Sequence, residues 1–439
     1  MTETLRPLAG HAVFVLLIQV ALLLLVARFG AELCRRFGIP AVVGELASGL
    51  ILGPSVFGHF APGAFNAIFP HNAEQFHLLE VVGTLGMILL LLLTGLETDL
   101  KLLRGLGRAA VGASISGMAL PFALGLGLGM VMPDNYLAAP EHRMLFSLFL
   151  ATAMSISAMP VIAKILMDMD LTRRNIGLVI LSAGVVDDTT GWLILSLIAG
   201  TVSSGSVKIM DLAKTLALTL AFLVFCAVIL YPLLRWLVRL FAQQFRTPDS
   251  DQVFIIFVTM LCAAVTEWIG IHAVFGAFAA GVVLRQVPAV RPETVHKLES
   301  FVFSVLGPIF FGIVGLKVDL WGLHGGTMLG IVIAVACIGK IVGCLIGGLA
   351  SGMHFWEAMS LAVAMNARGA MELVVAMIGL SLGILNQRMF SIIVVVAVVT
   401  SFMAPLLLRL TMKRVKLTEA EAQRLLAESS RGVFDPNRV

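Results

Sequence analysis

Charge is the scarcest ingredient of this sequence. Asp, Glu, Lys and Arg make up 13% of its 439 residues, against about 25% in a soluble domain. Hydrophobic residues make up 59% and the mean hydropathy is +1.00. So little charge cannot cover a water-facing surface. A soluble globular protein is excluded, and an all-α polytopic membrane protein is expected. Cysteine is also thin. Cys34, Cys226, Cys262, Cys337 and Cys344 are scattered, mostly inside apolar runs. Their spacing builds neither a disulfide framework nor a zinc site, and buried Cys behaves as a small hydrophobe. The nine histidines show no metal-ligand spacing. Serine-elbow, zinc and kinase motifs are missing. Gly125-Leu-Gly-Leu-Gly129 lies inside an apolar helical run with no strand before it, so it is not a nucleotide loop. No enzyme activity, cofactor or nucleic-acid partner is expected. The first apolar run lacks a basic leader and a small-residue cleavage site, and is expected to be a retained span.

What is present is a long series of apolar runs. Thirteen spans are expected, at 12–33, 39–57, 78–96, 109–132, 144–167, 176–199, 212–237, 253–269, 271–286, 301–316, 328–350, 356–382 and 390–412. Loop cations orient them, because cytoplasmic loops carry the excess of Lys and Arg. Loops after odd-numbered spans hold thirteen basic residues, including Arg35, Arg36, Lys101, Arg104, Arg173, Arg235, Arg239, Arg246 and Arg291. The other side holds six: Arg6, Arg143, Lys208, Lys214, Lys317 and Arg388. Lys413, Arg414 and Lys416 strengthen the bias. The N-terminus is therefore expected outside and the C-terminus in the cytoplasm. The net charge of +4 says little about an anionic partner, because most cations lie in loops on one side. Residues 417–439 read as a short amphipathic helix with a flexible end, too short for a regulatory domain.

The sixth run holds Asp187 and Asp188 at its centre. At 24 residues it is long enough to cross a bilayer, which takes about 20. Each carboxylate at mid-membrane costs about 2.5–3.5 kcal/mol on insertion scales. Such a pair persists only against protein or water, so an ion or proton site is the first expectation. A structural ion pair locking two helices is the alternative. Lys340 is the second intramembrane charge. It stands beside the stripe Gly339, Gly343 and Gly347, which permits close helix packing. A mid-membrane Lys needs a carboxylate. Asp187 and Asp188 point about 100° apart on a helix. One can therefore hold Lys340 while the other faces a water-filled cavity.

Thirteen spans divide into two six-span halves around a seventh, linking span, which is the plan of an inverted-topology repeat. The fifth span of each half looks interrupted. One contains Ala151-Thr-Ala-Met-Ser-Ile-Ser-Ala-Met-Pro160; the other contains Met365-Asn-Ala-Arg-Gly-Ala-Met-Glu372. Interruptions in matching positions point to a transport site. A plain proline kink and a helix-packing Arg–Glu pair would read the same way. Arg368 and Glu372 stand at i, i+4 and are expected to be a structural pair, since Arg does not readily shuttle protons. Glu45, Glu97, Glu267 and His272 lie near span ends. They fit entry funnels, and end-of-helix solvation explains them equally well.

Taken together, 43–54, 93–99, 151–160, Val185-Val-Asp-Asp188, Gly307-Pro-Ile-Phe-Phe311, Lys340 and Asn366-Ala-Arg-Gly369 resemble one family. It is the monovalent cation:proton antiporters of the sodium/hydrogen exchanger superfamily, in the bacterial branch of NapA-like and Kef-like proteins. The resemblance covers essentially the whole membrane part. It implies a homodimer with dimerisation-domain helices in residues 1–106 and 250–322. It implies core helices in 107–203 and 323–416, a linker in 204–249 and a short tail in 417–439. It further implies two crossed, broken helices flanking the acid site. Asp188 is then the carrier of sodium (or potassium) and of the proton, Asp187 the partner of Lys340, and Thr152 and Ser155 the polar breakpoint.

The expected function is sodium/proton antiport by an elevator-like motion in the inner (plasma) membrane. Exchange is electrogenic if Lys340 also gives up a proton. The chain departs from Kef-like proteins in its Asp-Asp pair and in lacking their large nucleotide-binding domain. Both differences favour sodium, and potassium/proton antiport is the alternative. A solute:sodium symporter and a non-transporting membrane sensor fit less well. The first has fewer spans and needs an organic-anion site, and the acid pair and Lys340 argue against it; the second would show no flux at all.

Overall fold

The computed structural model of the protein is built from α-helices. The structure describes residues 10–37, 39–70, 72–97, 107–169, 171, 174–202, 209–241, 248–270, 272–287, 291–322 and 326–415. Arg6, Lys101, Arg104, Arg173, Lys208, Arg246, Lys416 and the tail 417–439 lie outside the described residues, as do the side chains of Glu97, Pro160 and Arg239. Among the described residues there is no β-sheet; a single bridge joins Leu137 to Leu385.

Ten helices in the described residues are long and apolar enough to cross a membrane. This is a multi-pass membrane protein. Three of the thirteen expected runs are not among those ten, for a reason of length. Run 144–167 forms α5 (Arg143–Ser155) and α6 (Met159–Asp168). Run 271–286 forms α11 (Ala273–Arg285), and run 356–382 forms α15 (Phe355–Met365) and α16 (Ala370–Ser381). None exceeds 13 residues, or about 20 Å at 1.5 Å per residue, short of a hydrocarbon core of about 30 Å. The other α-helices of ten or more residues are α1 (Gly10–Arg36), α2 (Ala41–Leu52), α3 (Ala73–Glu97), α4 (Arg108–Val131) and α7 (Asn175–Val202). They continue with α8 (Ile209–Phe225), α9 (Tyr231–Phe241), α10 (Pro248–Trp268), α12 (Pro292–Phe301), α13 (Gly307–Leu316), α14 (Gly326–Ala350) and α17 (Gln387–Met412). A π-helical turn, Cys226–Leu230, makes α8 and α9 continuous.

The chain packs as two units. Unit one is Met1–Leu90 with Pro292–Gly322. Its core gathers Leu23, Leu79, Ile309 and Ile313. A Cβ on Gly49 would strike the backbone of Gly312, so glycine is what lets α2 lie on α13. The Ser55 hydroxyl donates to the Val318 carbonyl at 2.7 Å. Lys317 Nζ donates to Glu80 at 3.1 Å. Burial pulls the Lys317 ammonium below the usual lysine range, and Glu80 opposes that pull.

Unit two is Leu91–Arg291 with Leu323–Val439. It takes in α10, α11 and the end of α3. Two contacts account for this. Gly95 and Gly281 meet backbone to backbone, which only residues without a Cβ permit. Phe278 of α11 lies 6.1 Å from Trp192 of α7, ring to ring. The core of this unit runs beneath the two helix interruptions, through Ala158, Val161, Ile162, Met365 and Ala367.

One close crossing in unit two positions the intramembrane charges. Gly339, Gly343 and Gly347 of α14 all face α4. A Cβ on Gly343 would stand 2.5 Å from the Ser116 carbonyl, and one on Gly347 would run into the Gly112 backbone. The Ser116 hydroxyl lies 2.7 Å from the carbonyls of both Gly112 and Gly343. Helices this close bring side chains one turn away into direct contact. Gly343→Leu is expected to force α4 and α14 apart at a cost of about 1–3 kcal/mol. Thermal unfolding of the purified protein in detergent checks this; a melting temperature equal to the parent's contradicts the tight crossing.

Candidate functional site

Two helix interruptions meet at the centre of unit two. The first is Ile156-Ser-Ala158, extended between α5 and α6, with Ile156 at φ −77°, ψ 140°. Pro160 follows at the second position of α6, where its missing N–H forfeits no intrahelical bond. Proline thus starts a new helix here rather than kinking an old one. The second interruption is Asn366-Ala-Arg-Gly369 between α15 and α16. The Ala158 N–H donates to the Ala367 carbonyl at 3.0 Å, tying one interruption to the other. A Cβ on Gly369 would stand 2.5 Å from Val161, so the approach needs glycine.

Breaking a helix strands carbonyls at its C-terminal end and N–H groups at the next N-terminal end. The stranded carbonyls of α5 are met by cations. Arg368 Nη1 donates to the Ala153 carbonyl at 2.8 Å, and Nη2 to the Met154 carbonyl at 2.5 Å. Lys340 Nζ donates to the Ser155 carbonyl at 2.6 Å. A cation at a helix C-terminus is favoured by the helix dipole as well as by the hydrogen bonds. The end of α15 is met by the Ser157 hydroxyl, 2.7 Å from the Met365 carbonyl. The Ser401 hydroxyl donates to the Arg368 carbonyl.

Lys340, Asp187 and Asp188 are all fully buried, at 0% exposure. Lys340 Nζ lies 2.5 Å from Asp187 Oδ2. The same carboxylate accepts from Ser114 at 2.5 Å on Oδ1 and from Ser157 at 2.9 Å on Oδ2. Charge-assisted donors of this kind are what make a buried carboxylate tolerable. Asp187 is thereby engaged by α4, α14 and the first interruption together. Asp188, next along α7, projects about 100° away from it. Ile180, Ala183, Val185 and Trp192 of the same helix are buried on either side of the pair.

The other candidates are distributed as follows. Thr152 and Ser155 are buried, but their hydroxyls donate back into their own helix, to Leu148 at 2.8 Å and Thr152 at 2.9 Å. It is the Ser155 carbonyl that reaches Lys340. Arg368 and Glu372 pair at 3.2 Å, at 1% and 3% side-chain exposure. Glu267 accepts from the Ala273 N–H at 2.8 Å, and His272 caps α11, so both serve the α10–α11 turn. Glu45 is buried within unit one. Nothing in the sequence marks Ser114 as a site residue. It is one of several small residues in the glycine-rich α4, and only the α4–α14 crossing turns it onto Asp187. Ser157 lies in the recognisable 151–160 stretch, but its role depends on where the helix stops.

A family model described as the transmembrane sodium/hydrogen exchanger matches residues 20–414. The chain belongs to this family. Cation/H(+) antiporter 17 of Arabidopsis thaliana is 32% identical, over 96% of this chain and 51% of its own length. The Na(+)/H(+) antiporter NhaS4 of Synechocystis sp. is 30% identical, over 91% of this chain and 98% of its own. The K(+)/H(+) antiporter 1 of Saccharomyces cerevisiae is 32% identical, over 88% and 45%. The chain spans about half the length of the first curated relatives it matches. Among solved structures, the sodium proton antiporter MjNhaP1 of Methanocaldococcus jannaschii superposes with a TM-score of 0.67 at 14% identity, over 92% of this chain and 99% of that one. At that identity the likeness is one of fold.

Breaking the Arg368–Glu372 pair from one side leaves a buried charge unpaired. Arg368→Met is expected to cost about 3–5 kcal/mol, with Arg368→Met/Glu372→Leu recovering part of it. Thermal melts of the single and double variants read this. A double variant no more stable than the single one would show that Arg368 acts through the α5 carbonyls alone.

Proposed function

We propose that this chain exchanges a monovalent cation, sodium first, for protons across a membrane by elevator-type alternating access. The observation that carries the reading is the fully buried Lys340–Asp187 pair at 2.5 Å, set at two helix interruptions with Asp188 beside it. Asp187 is occupied as the holder of Lys340, which leaves the carrier role to Asp188, alternately taking a cation and a proton. Around the interruptions three carboxyl groups, Asp187, Asp188 and Glu372, stand with two cations, Lys340 and Arg368. Membership of the exchanger family supports the same reading.

The finer features belong to this proposal. Thirteen crossings, with α5–α6 and α15–α16 as crossed broken spans, would complete an inverted repeat. Residues 1–106 and 250–322 would supply the dimerisation helices of a homodimer. Residues 107–203 and 323–416 would form the moving core, joined by the linker 204–249. The N-terminus would lie outside the plasma membrane and the C-terminus in the cytoplasm. Thr152 and Ser155 would offer backbone and side-chain oxygens beside Asp188. If Lys340 releases its proton as the cation enters, two protons leave for one cation and exchange is electrogenic. Potassium is the second reading, favoured by the yeast relative named as a K(+)/H(+) antiporter.

Cation-driven proton flux in proteoliposomes tests the assignment. Asp188→Asn is expected to reduce exchange to background, and parent-like flux would sink the carrier role. Titrating the parent with sodium, potassium and lithium decides the ion. For the lysine, flux is compared with and without a clamped membrane potential. The parent is expected to respond to voltage and Lys340→Gln to lose that response. An equally voltage-sensitive Lys340→Gln would remove Lys340 as the second carrier.

A further inference from the structure

Unit two contains a cavity that the acid cluster does not use. Its volume is about 300 Å³ and it is partly open. Three elements form its walls. From α7 come Thr189 and Leu193, from the continuous α8–α9 helix come Cys226 of the π turn and Tyr231 at the start of α9, and from α11 and its C-terminal cap come Phe278 and Gln286. We infer that this cavity is a binding site for a small uncharged amphiphile entering from the bilayer, a molecule with an alkyl or aryl body and one hydroxyl or amide head.

The lining decides the chemical class. Among the described residues none that lines the cavity is charged, so an ion would lose its hydration against them without replacement. The volume stands at the lower end of the range for small-molecule pockets, and the anatomy is theirs: aromatic and aliphatic walls with a few polar groups. Those polar groups have capacity to spare. The Thr189 hydroxyl donates to the Val185 carbonyl at 2.8 Å, which leaves its oxygen able to accept. The Gln286 amide nitrogen donates to the Val282 carbonyl at 3.3 Å, which leaves its carbonyl oxygen able to accept. Gln286 closes α11, and Tyr231 follows the last residue of the π turn. A head group would sit near these two, with its body against Leu193 and Phe278.

The π turn is the second observation. Five residues, Cys226–Leu230, are wound with an i→i+5 pattern in an otherwise regular helix. Such single turns are rare and concentrate at functional sites. Here Cys226 and Ala227 of the widened turn line the cavity. Val224, Val228 and Ile229, on the same stretch, are exposed. In a multi-pass membrane protein those side chains meet hydrocarbon, so this stretch of helix is reached by what dissolves in lipid.

The position gives the site a consequence. Thr189 follows Asp188 directly on α7, so an occupant would brace the acid-bearing helix against the continuous α8–α9 helix and α11. Slowed exchange without competition with the cation is the expected effect, and this consequence rests on the antiport proposed above. Binding itself does not.

The experiment uses the full chain in vesicles and a photoreactive diazirine analogue of octanol, with labelled residues located by peptide mass spectrometry. Label is expected at Cys226, Ala227 and Tyr231 and within 275–286, and excess 1-octanol should remove it. Ala227→Leu and Ala279→Leu fill the cavity from different walls, so that misfolding of one does not decide the result. Each is expected to cut labelling at least about fivefold, while Val228→Leu on the exposed face leaves it unchanged. Label confined to Val224, Val228 and Ile229, or insensitive to both filling variants, would overturn the site. In proteoliposomes 1-octanol is expected to lower maximal exchange several-fold at unchanged apparent cation affinity, and Ala279→Leu to blunt that inhibition. Retained labelling with exchange indifferent to octanol would overturn the regulatory consequence alone. A parent that labels but exchanges no cation would overturn the antiport reading and leave the binding site standing.

Discussion

The structure of unit two depends on one ion pair in a place where ion pairs are expensive. Lys340 and Asp187 are both fully buried. Removing two charges from water costs several kcal/mol for each ion, and attraction offsets this only when geometry and additional hydrogen bonds are good. Both conditions are met here. Nζ and Oδ2 are 2.5 Å apart. Ser114, Ser157 and the Ser155 carbonyl supply the remaining partners. The pair joins α14 to α7, and these partners come from α4, the end of α5 and the α5–α6 interruption. Removing either charge would strand the other and unfasten several elements at once.

The helix interruptions and the charges explain each other. In an unbroken helix the carbonyls of Ala153, Met154 and Ser155 would be used internally. Stopping α5 at Ser155 frees them, and Arg368 and Lys340 satisfy them. In hydrocarbon, unsatisfied backbone is tolerated only where protein or water re-satisfies it. The cations therefore make the interruption affordable, and the interruption gives the cations oxygen partners. Glycine completes the arrangement by allowing close approach, at Gly369 between the two interruptions and at Gly343 and Gly347 between α14 and α4.

The binding cavity and the acid cluster lie on different faces of the same helix. Asp187 faces α4 and α14, while Thr189 faces the continuous α8–α9 helix and α11. At 100° per residue, two positions apart turn about 200°. Helix α7 is thus gripped by polar contacts on one side and by an apolar, partly open packing on the other. The apolar side is the one that a lipid-soluble molecule can reach.

Much was legible from the sequence because lipid is an unforgiving solvent. Scarce charge and long apolar runs are enough to establish a multi-pass helical protein. A carboxylate or lysine at mid-run stands out for the same reason, so Asp187, Asp188, Lys340, Arg368 and Glu372 could be named without coordinates. The interruptions were visible through Pro160 and Asn366-Ala-Arg-Gly369. Tertiary structure alone decided which oxygens surround the charges. Thr152 and Ser155 turn their hydroxyls into their own helix, while Ser114 and Ser157 reach Asp187. A serine in an apolar helix bonds equally well to the carbonyl four residues back or to a neighbouring helix. Only the crossing of α4 and α14 and the stopping point of α5 settle that choice. These depend on contacts between residues more than 200 positions apart, which local sequence pattern does not encode.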